Sequence, residues 1–373
     1  MTETKTPQRR GLIKGAVVAA SALAAPRIAS AQTPIAFRFQ SAWQSKDIFQ
    51  EYAVDFSRKV ADMSGGELRI EVLPVNSVVP ASGLLDAVSK GTLDGAHSNL
   101  VHNYDRQNSF ALWGSGPCFG MDGNVLLAWH KYGGGKELLG RLYASIGGNV
   151  VSFPTGPNPT QPLGWFKKRI TRPEDFKGLK IRAEGIAAEL FAGMGAVAVP
   201  VPQPELVSAF DQGLLDAAAS NNASSDRFLG LAKPGRVCML SSFHANTAQF
   251  EIIFNKSRFD GLSTKLKAAI GGAVEASSAE MTWKVIERYS LDYIELQKAG
   301  VKFYQTPEAV LRKQIAVFDA LLRKKSAADS LFKEIVESQK TFAARAVKWE
   351  MDTLADRRMA FNHYFRNGGL KNG

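Results

Sequence analysis

Two stretches of the chain are near copies of each other: AVSKGTLDGAHSN, residues 87–99, and AFDQGLLDAAASN, residues 209–221. In each copy a helix-like stretch runs into a glycine, Gly91 or Gly213, and glycine readily takes the left-handed conformation that often ends a helix. A short apolar run with Leu-Asp follows, and small residues lead to Ser-Asn. An open α/β sheet typically meets its ligand through such strand ends. The repeat therefore predicts two sheets whose Ser-Asn ends face one ligand.

The regions around the copies alternate between strand and helix patterns. IAFRFQ (35–40) alternates like a strand, residues 46–63 have helical periodicity, and VVSFP (150–154) and FEIIFNK (250–256) read as further strands. Between them, TGPNPTQPLG (155–164) is rich in Pro and Gly and is a candidate hinge. We therefore predict an α/β protein with two lobes and several crossings between them.

The last third of the chain is predicted to be mainly helical. Residues 262–299 keep helical periodicity, although Gly271-Gly272 could kink the helix. At about 1.5 Å per residue such a helix reaches about 55 Å, enough to back both lobes. Residues 307–364 are also nearly all helical in pattern, so the fold is expected to have a long back helix and a helical C-terminal region.

Composition and charge exclude some functions. The chain has 373 residues, of which 45% are hydrophobic and 22% charged, which suits two domains of ordinary size. The formal net charge is +11, and residues 1–31 carry four of these charges. The rest contains no Lys/Arg block and no interleaving of aromatic and basic residues of the kind that binds nucleic acid. The modest positive charge suits an anionic ligand, or it serves only solubility.

The N-terminal segment has the pattern of an export signal. Arg9 and Arg10 precede an apolar stretch over residues 15–25, and residues 29–31 form an Ala-Ser-Ala end. Residues 1–31 are therefore predicted to be a cleaved signal peptide, with the mature chain working in the periplasm. The arginine pair resembles a twin-arginine signal. A general secretory signal that happens to carry two arginines is the alternative.

The chain contains two cysteines, Cys118 and Cys238, which an oxidising compartment could join. Their separation of 120 residues is almost the spacing of the repeat. Corresponding positions in two lobes lie far apart, so we expect buried free thiols.

No catalytic constellation is visible. The sequence lacks a hydrolase elbow, an HExxH motif, a CxxC motif and a Walker motif, and no nucleophile is spaced with a base. His97 and His102 flank the end of the first copy, where they either contact a ligand or occupy ordinary surface or core positions. We therefore expect a binding protein and not an enzyme.

Arg182 ends the strand-like GLKIR, directly before the predicted start of a helix. An arginine at a strand end beside a helix N-terminus can hold a carboxylate with two parallel hydrogen bonds. The alternative is a surface arginine, because Lys180 and Arg182 share one face of the strand.

Four stretches in one order carry a resemblance to a known family: FALWGSGPCFGMD (110–122), the run from His130 to Ile170, RPEDFKGLKIR (172–182) and FNKSRFDGL (254–262). Together they resemble the extracytoplasmic solute receptors of tripartite ATP-independent periplasmic (TRAP) transporters. The likeness covers essentially all of the predicted mature chain. It is strongest to the branch that binds 2-oxo acids and lactate, where the ligand sits with a metal ion.

The resemblance implies a two-lobed periplasmic-binding-protein-like fold that closes over an organic acid. It implies one lobe from residues 32–158 plus about 248–287, and a second from residues 159–247 plus about 288–373 with the C-terminal helices. The carboxylate-binding arginine of the family falls on Arg182. The glutamine of the metal-using branch falls on Gln161.

The chain departs from that branch after the second Leu-Asp. Where the branch carries Glu-Trp, this chain has Ala219 and Ser220, and no acidic residue occurs near Ala245 and Asn246. Loss of a carboxylate removes charge and an oxygen ligand from a hard-cation site. We therefore expect no metal and no other cofactor. The asparagine pair that follows Ser220 would instead offer amide groups to the ligand.

Ten residues are predicted to line the ligand site between the lobes. They combine amides, aromatic side chains and one arginine, namely Trp43, Asn99, Asn103, Tyr104, Gln161, Trp165, Arg182, Asn221, Asn222 and Gln249. For Trp43 the alternative is a half-buried packing position.

The predicted function is a solute-binding protein that captures a small organic acid and delivers it to a TRAP membrane permease. An exported enzyme, a receptor for an ATP-driven importer or for a non-carboxylate solute, and a receptor for a sensor are the alternatives. The C-terminal helices could also form a homodimer through apolar stripes that include Phe318 and Leu322, although packing on their own lobe is the simpler expectation.

Overall fold

The computed structural model describes residues 1–2, 33–157, 161–201, 205–219, 221–233 and 236–365. Met1–Pro34 and Ile35–Gly373 are two separate compact units, and all regular structure described below belongs to the second. The predicted signal peptide lies almost wholly outside the described residues. Among the helices that are described, none combines the length and the apolar character needed to cross a membrane.

The strands are short and spread over most of the chain. In chain order they are β1 (Ile35–Ser41), β2 (Leu68–Leu73), β3 (Gly95–Asn99), β4 (Val150–Pro157), β5 (Gly164–Phe166), β6 (Lys180–Arg182), β7 (Val197–Val199), β8 (Ala217–Ala218), β9 (Val237–Leu240), β10 (Gln249–Asn255) and β11 (Lys302–Gln305).

The three longest described helices lie in the last third of the chain. In chain order the helices are α1 (Ile48–Met63), α2 (Leu84–Ser89), α3 (Gly123–Tyr132), α4 (Gly135–Ser145), α5 (Gly185–Gly193), α6 (Leu206–Asp211), α7 (Ala223–Phe228), α8 (Lys256–Asp260), α9 (Thr264–Lys298), α10 (Glu308–Ala328), α11 (Ser330–Thr353) and α12 (Arg357–Tyr364).

The strands form two sheets, as the repeat predicts. The first has the order β2-β1-β3-β10-β4, and the second has the order β11-β9-β5-β8-β6-β7. β10 in the first sheet and β5 in the second sheet each run antiparallel to both of their neighbours. All other strand pairs in the two sheets are parallel. We call the part built on each sheet the first lobe and the second lobe.

The two sequence copies occupy equivalent places in the two sheets. Gly91 and Gly213 follow α2 and α6 with φ of +77° and +80°. The aspartate of each Leu-Asp then binds the neighbouring strand: Asp94 accepts from the backbone N of Arg38 at 2.8 Å, and Asp216 accepts from that of Lys180 at 3.1 Å. The repeated aspartate therefore fixes the strand that carries the ligand-facing end.

Three crossings join the lobes. The chain passes from β4 to β5 and returns from β9 to β10, and α9 then leads to β11 in the second sheet. This back helix has 35 residues and begins at a Ser263 N-cap, whose hydroxyl accepts from the backbone N of Leu266. Gly271 and Gly272 lie inside it without ending it.

The C-terminal helices divide between the lobes. α10 packs on α5 of the second lobe, whereas α11 packs on α3 and α4 of the first lobe. The domain prediction assigned all of residues 288–373 to the second lobe, and α11 departs from it. The physical reason is that the apolar stripe of α11, which includes Phe332 and Ile335, is fully buried in the core that α3 and α4 share.

Both cysteines are buried and free, and burial raises the pKa of the Cys118 thiol to about 12. Cys118 belongs to the core beneath α11, while Cys238 lies in β9 within a separate apolar cluster of the second lobe. Neither thiol is a nucleophile in this environment, because the thiolate is the reactive form.

Candidate functional site

A cavity of about 130 Å³ lies between the two lobes. Apolar side chains, including Trp43, Phe49 and Phe250, form part of its wall. The polar part of the wall is made by Asn99, His102, Ser115, Gln161, Arg182, Glu184, Asn221 and His244.

Half of the predicted ligand residues line this cavity. Trp43 and Asn99 come from the first lobe, Arg182 and Asn221 from the second, and Gln161 from the crossing between β4 and β5. His102 also lines the cavity, and burial, with a smaller contribution from the positive charge of Arg182, lowers its pKa to about 4.

Arg182 is the main positive charge of the site. It ends β6, where the backbone N of Ala219 holds its carbonyl at 3.0 Å. Its side chain is only 17% exposed and forms an ion pair with Glu184. Its Nε donates to the carbonyl of Val201 at 3.3 Å. The remaining guanidinium N–H groups have no partner among the described residues, so the group can still receive a carboxylate.

Asn99 and Asn221 present their side chains at the ends of β3 and β8. The Oδ1 of Asn99 accepts from the backbone N of Val101 at 3.1 Å, which caps the short helical turn that follows. Its amide NH₂ therefore remains as the group offered to the cavity. Asn221 is held through its backbone N, which donates to Asp226 at 3.3 Å.

Gln161 is oriented by His244. Their side chains meet at 3.3 Å between Gln161 Oε1 and His244 Nε2, and the Nδ1 of the same ring lies 2.7 Å from the hydroxyl of Ser242. The backbone N of Gln161 donates to the carbonyl of Ala245 at 3.2 Å, so main chain and side chain are fixed together. Sequence reasoning missed His244, because one histidine in a loop carries no spacing signal.

The first-lobe wall is aromatic. Phe250 packs against Trp43 and Phe49 with ring centroids 5.5 and 4.8 Å away, and it stacks on His97 at 5.7 Å. The indole Nε1 of Trp43 donates to His97 Nδ1 at 2.8 Å. Burial lowers the pKa of His97 to about 3, so the ring is a neutral acceptor that fixes Trp43.

The other five predicted residues lie outside the cavity lining and have structural contacts. Trp165 is fully buried and donates to Asp226 at 2.8 Å, and Asn222 caps α7 by accepting from the backbone N of Ser225 at 2.8 Å. Gln249 donates to the carbonyl of Thr247 at 3.1 Å. These contacts remove three amide or indole groups from the set that faces the cavity.

Asn103 and Tyr104 have different partners again. Asn103 donates to Glu251 at 3.3 Å inside the first lobe. Tyr104 donates its hydroxyl to Glu189 on α5, which also accepts from Lys325 at 2.8 Å. The Tyr104 bond therefore joins the two lobes. A second hydrogen bond between the lobes runs from the Ser225 hydroxyl to the Asp47 carboxylate, at 3.1 Å.

Glu251 is a buried carboxyl that the sequence analysis did not single out. It accepts from Tyr143 and Ser152 as well as from Asn103, and burial raises its pKa to about 7. A signal was available, since it is the one acidic residue in the strand FEIIFNK, all of whose residues in β10 are buried.

A second, larger cavity of about 400 Å³ lies between the second sheet and the back helix. Its wall includes four aromatic side chains, Trp165, Tyr289, Tyr293 and Phe303, and among the described residues its one lining carboxylate is Asp226. That carboxylate already accepts from Trp165 and Asn221. None of the described residues that line this cavity is cationic, so the smaller cavity is the better anion site.

Comparison with protein families identifies the fold and its class. Residues 39–329 match the family model for bacterial extracellular solute-binding protein, family 7 (DctP). The chain belongs to this family. This confirms the receptor class that the sequence predicted, since the family is one of solute-binding proteins and not of enzymes.

Relatives of this DctP-family protein include a monocarboxylate 2-oxoacid-binding periplasmic protein of Nostoc sp., 25% identical over 293 residues, or 79% of this chain and 80% of that protein. A TRAP solute-binding protein from Bordetella bronchiseptica, described with calcium and picolinate, is 24% identical with a TM-score of 0.81 over 90% of this chain and 98% of its own.

A further solved relative shares both fold and sequence. The TRAP solute-binding protein of Colwellia psychrerythraea, with bound calcium and pyruvate, is 26% identical with a TM-score of 0.80. The alignment covers 88% of this chain and 99% of that one. A protein from Pseudoalteromonas atlantica with bound sodium and pyruvate is also 26% identical, with a TM-score of 0.78 over 90% and 100% of the two chains.

Proposed function

We propose that this protein captures a small 2-oxo or 2-hydroxy monocarboxylate between its lobes and delivers it to a TRAP membrane permease. The observation that carries the proposal is the combination of Arg182 with a cavity of about 130 Å³. The guanidinium provides the positive charge that binds the carboxylate, and the volume of the cavity limits the size of the ligand.

Size restricts the ligand more than charge does. A cavity of about 150 Å³ in a protein core holds benzene, which has about six heavy atoms. Pyruvate and lactate also have about six, so they match a cavity of about 130 Å³. A sugar acid has about twice as many heavy atoms and exceeds that volume.

Closure of the lobes completes the site. Arg182 and Asn221 belong to the second lobe, whereas Asn99 and Trp43 belong to the first, so a ligand contacts all four only when the lobes are together. Ligand binding therefore shifts the population towards the closed form. The closed form is the state that we propose the permease recognises.

The place of action follows from the N-terminal pattern. We propose that residues 1–31 are removed as a signal peptide and that the mature chain works in the periplasm. The Arg9-Arg10 pair favours twin-arginine export over general secretion. Replacement of both arginines by lysine in the producing cell should block export by the twin-arginine route and leave general secretion working.

We also propose that the C-terminal region is an interface of a homodimer. The apolar stripe of α10 that includes Phe318 and Leu322 cannot form this interface, because both side chains are buried in the core of their own chain. Large apolar side chains are instead exposed near the end of the chain: Trp349, Met351, Leu354, Met359, Phe361 and Tyr364. Sedimentation of the protein with and without Trp349→Glu tests this, since a monomer in both cases contradicts the dimer.

A thermal-shift and calorimetric screen tests the binding proposal. The refolded mature chain is titrated with pyruvate, lactate, acetate, succinate, galacturonate and glucose. We expect pyruvate or lactate to raise the melting temperature, because ligand at about 100 times its Kd adds about 2.7 kcal/mol to the folding stability. A shift with glucose alone, or with galacturonate and neither small acid, contradicts the proposal.

A further inference from the structure

The solved relatives that bind pyruvate also hold a cation, calcium or sodium. Calcium takes about six to eight oxygen ligands, among which carboxylates supply the negative charge. Among the described residues, Glu184 is the one carboxylate that lines the cavity, and it is paired with Arg182. The same residues contain no group of three or more His, Cys, Asp or Glu side chains that could hold a metal ion.

Two neutral side-chain oxygens of the cavity, those of Asn99 and Gln161, are also engaged. Asn99 Oδ1 accepts from the backbone N of Val101, and Gln161 Oε1 meets the ring of His244. What these two amides offer to the cavity is therefore N–H and not C=O. The donor set suits an anion and does not fit a hard cation.

The proton position on His244 decides which end of Gln161 faces the cavity, and the surrounding bonds define it. The backbone N of Phe243 can only donate, and it lies 2.9 Å from Gln314 Oε1. This orients the Gln314 amide so that its Nε2 donates to the Ser242 hydroxyl, at 2.9 Å. The Ser242 hydroxyl has two acceptors within reach, His244 Nδ1 at 2.7 Å and Gln314 Oε1 at 3.3 Å, and we assign its single hydrogen to the nearer one.

His244 is consequently a neutral ring protonated on Nε2. Burial lowers its pKa to about 4, which keeps the ring neutral at physiological pH. Its Nε2–H donates to Gln161 Oε1 and leaves the Gln161 NH₂ group without a partner among the described residues. Gln314, Ser242 and His244 are each at most 2% exposed, so the chain of bonds is shielded from water.

We infer that this receptor binds its acid without a metal ion, and that His244 is a positioning residue that directs the Gln161 amide towards the 2-oxo or 2-hydroxy oxygen of the ligand. The inference rests on the proposed function. It divides recognition into two parts: Arg182 receives the carboxylate, and the amide fixed by His244 receives the second oxygen. Amide N–H groups thus take the place of the cation beside the ligand.

Isothermal titration calorimetry of the purified protein tests the metal-free site. Pyruvate, lactate and propionate are titrated in chelator, and again with millimolar calcium or with sodium in place of potassium. The expected result is pyruvate affinity that changes less than twofold between these buffers. Loss of pyruvate binding in chelator, with recovery in calcium or sodium, overturns the inference while leaving the proposed function intact.

A matched pair of variants tests the role of His244. In His244→Gln the side-chain amide nitrogen can stand near the original Nε2 and still donate to Gln161, whereas in His244→Asn the shorter amide cannot reach. We expect His244→Asn to weaken pyruvate and lactate binding about tenfold, as the loss of one oriented hydrogen bond implies, and His244→Gln to recover most of it.

Propionate separates positioning from a general loss of structure, because it has the carboxylate but no second oxygen. We expect propionate to bind more weakly than pyruvate, and with the same affinity in the unmodified protein, in both His244 variants and in Gln161→Leu. An equal loss for propionate and pyruvate, or equal behaviour of His244→Asn and His244→Gln, overturns the positioning role. Failure of all three acids to bind the unmodified protein instead contradicts the proposed function.

Discussion

The two walls of the cavity differ in chemistry. The second-lobe wall carries Arg182 and Asn221, which supply a positive charge and an amide, while the first-lobe wall is built on Trp43, Phe49 and Phe250. The first-lobe wall is fixed by ring packing, and the second-lobe wall by strand ends and their hydrogen bonds. Under the proposed function, the second lobe recognises the charge of the ligand and the aromatic part of the first lobe sets the shape of the cavity.

Replacement of Arg182 should have the largest effect. Arg182→Ala removes the one Lys or Arg side chain among the described residues of the cavity lining, and we expect the affinity for pyruvate to fall roughly 100-fold or more, as for other buried charge pairs. Arg182→Lys should recover little, because an ammonium cannot form two parallel bonds to a carboxylate. Calorimetry measures both variants, and wild-type affinity in Arg182→Ala would remove the distinction between the walls.

A change in the aromatic wall should alter size selection more than charge recognition. Trp43→Leu enlarges the cavity and leaves His97 Nδ1 without its indole donor. We expect pyruvate to bind about tenfold more weakly, in line with the loss of part of an aromatic contact, while a larger monocarboxylate such as pyroglutamate gains relative to pyruvate. An unchanged ratio between the two acids would show that Trp43 does not limit the size.

Bonds between the lobes should affect all ligands alike. Tyr104→Phe removes only the hydroxyl that donates to Glu189 across the cleft. One neutral-to-charged hydrogen bond in the closed form is worth about 1–2 kcal/mol, but the remaining contacts between the lobes moderate the loss, so we expect about threefold weaker binding. Pyruvate, lactate and propionate should weaken by the same factor. Selective weakening of one acid would place Tyr104 in the ligand site after all.

The smallest effect on binding should come from Glu251, which lies in the first lobe away from the cavity lining. Its pKa is raised from 4.5 to about 7 by burial, so the folded protein keeps a proton that the unfolded chain loses. The stability contribution is therefore complete below about pH 4.5 and declines as the pH rises to about 7.

Glu251→Gln should abolish this decline. We expect the variant to be more stable than the parent by roughly 1–3 kcal/mol at about pH 8, with no gain at about pH 4, and to bind pyruvate unchanged. Urea unfolding at both pH values measures the difference. A variant that is destabilised more at high pH than at low pH would contradict the raised pKa.

The buried histidines should lower the folding stability as the pH falls, whereas Glu251 lowers it as the pH rises. Burial lowers the pKa of His97, His130 and His244, so their contribution to stability is present above the usual pKa of 6.5 and is lost as the pH falls towards about 4. His97 fixes Trp43 in the first-lobe wall and His244 fixes Gln161 at the crossing between β4 and β5, so both parts of the cavity lining share this sensitivity.

Much of the fold could be predicted because it rests on local signals. The two Gly-x-Leu-Asp copies predicted equivalent units, and the structure shows why the aspartates recur, since Asp94 and Asp216 each bind a neighbouring strand. Helical periodicity also predicted α9, and the structure shows that Gly271-Gly272, where a kink was left open, do not interrupt it. The side to which α11 packs was not predictable, because an apolar stripe shows that a helix packs but not on what.

The candidate site was less accessible from the sequence. Strand ends predicted Asn99, Arg182 and Asn221, because side chains at the ends of neighbouring strands meet in space. The sequence analysis also selected Asn222 beside Asn221, Trp165 at the crossing and Gln249 near the return strand, and these three are engaged in capping or internal bonds. Whether an amide faces a ligand or a backbone group depends on rotamers and partners far away in the chain.

The sequence by itself determined the α/β class, the pairing of two similar units, the back helix and the arginine at the end of β6, because each follows from neighbours within a few residues. Only the tertiary structure decided the volume of the cavity and the direction of the Gln161 amide. That direction depends on Gln314, Ser242 and His244, which come from a distant helix and a crossing loop. Hydrogen-bond direction is a property of such assembled contacts, and no local pattern encodes it.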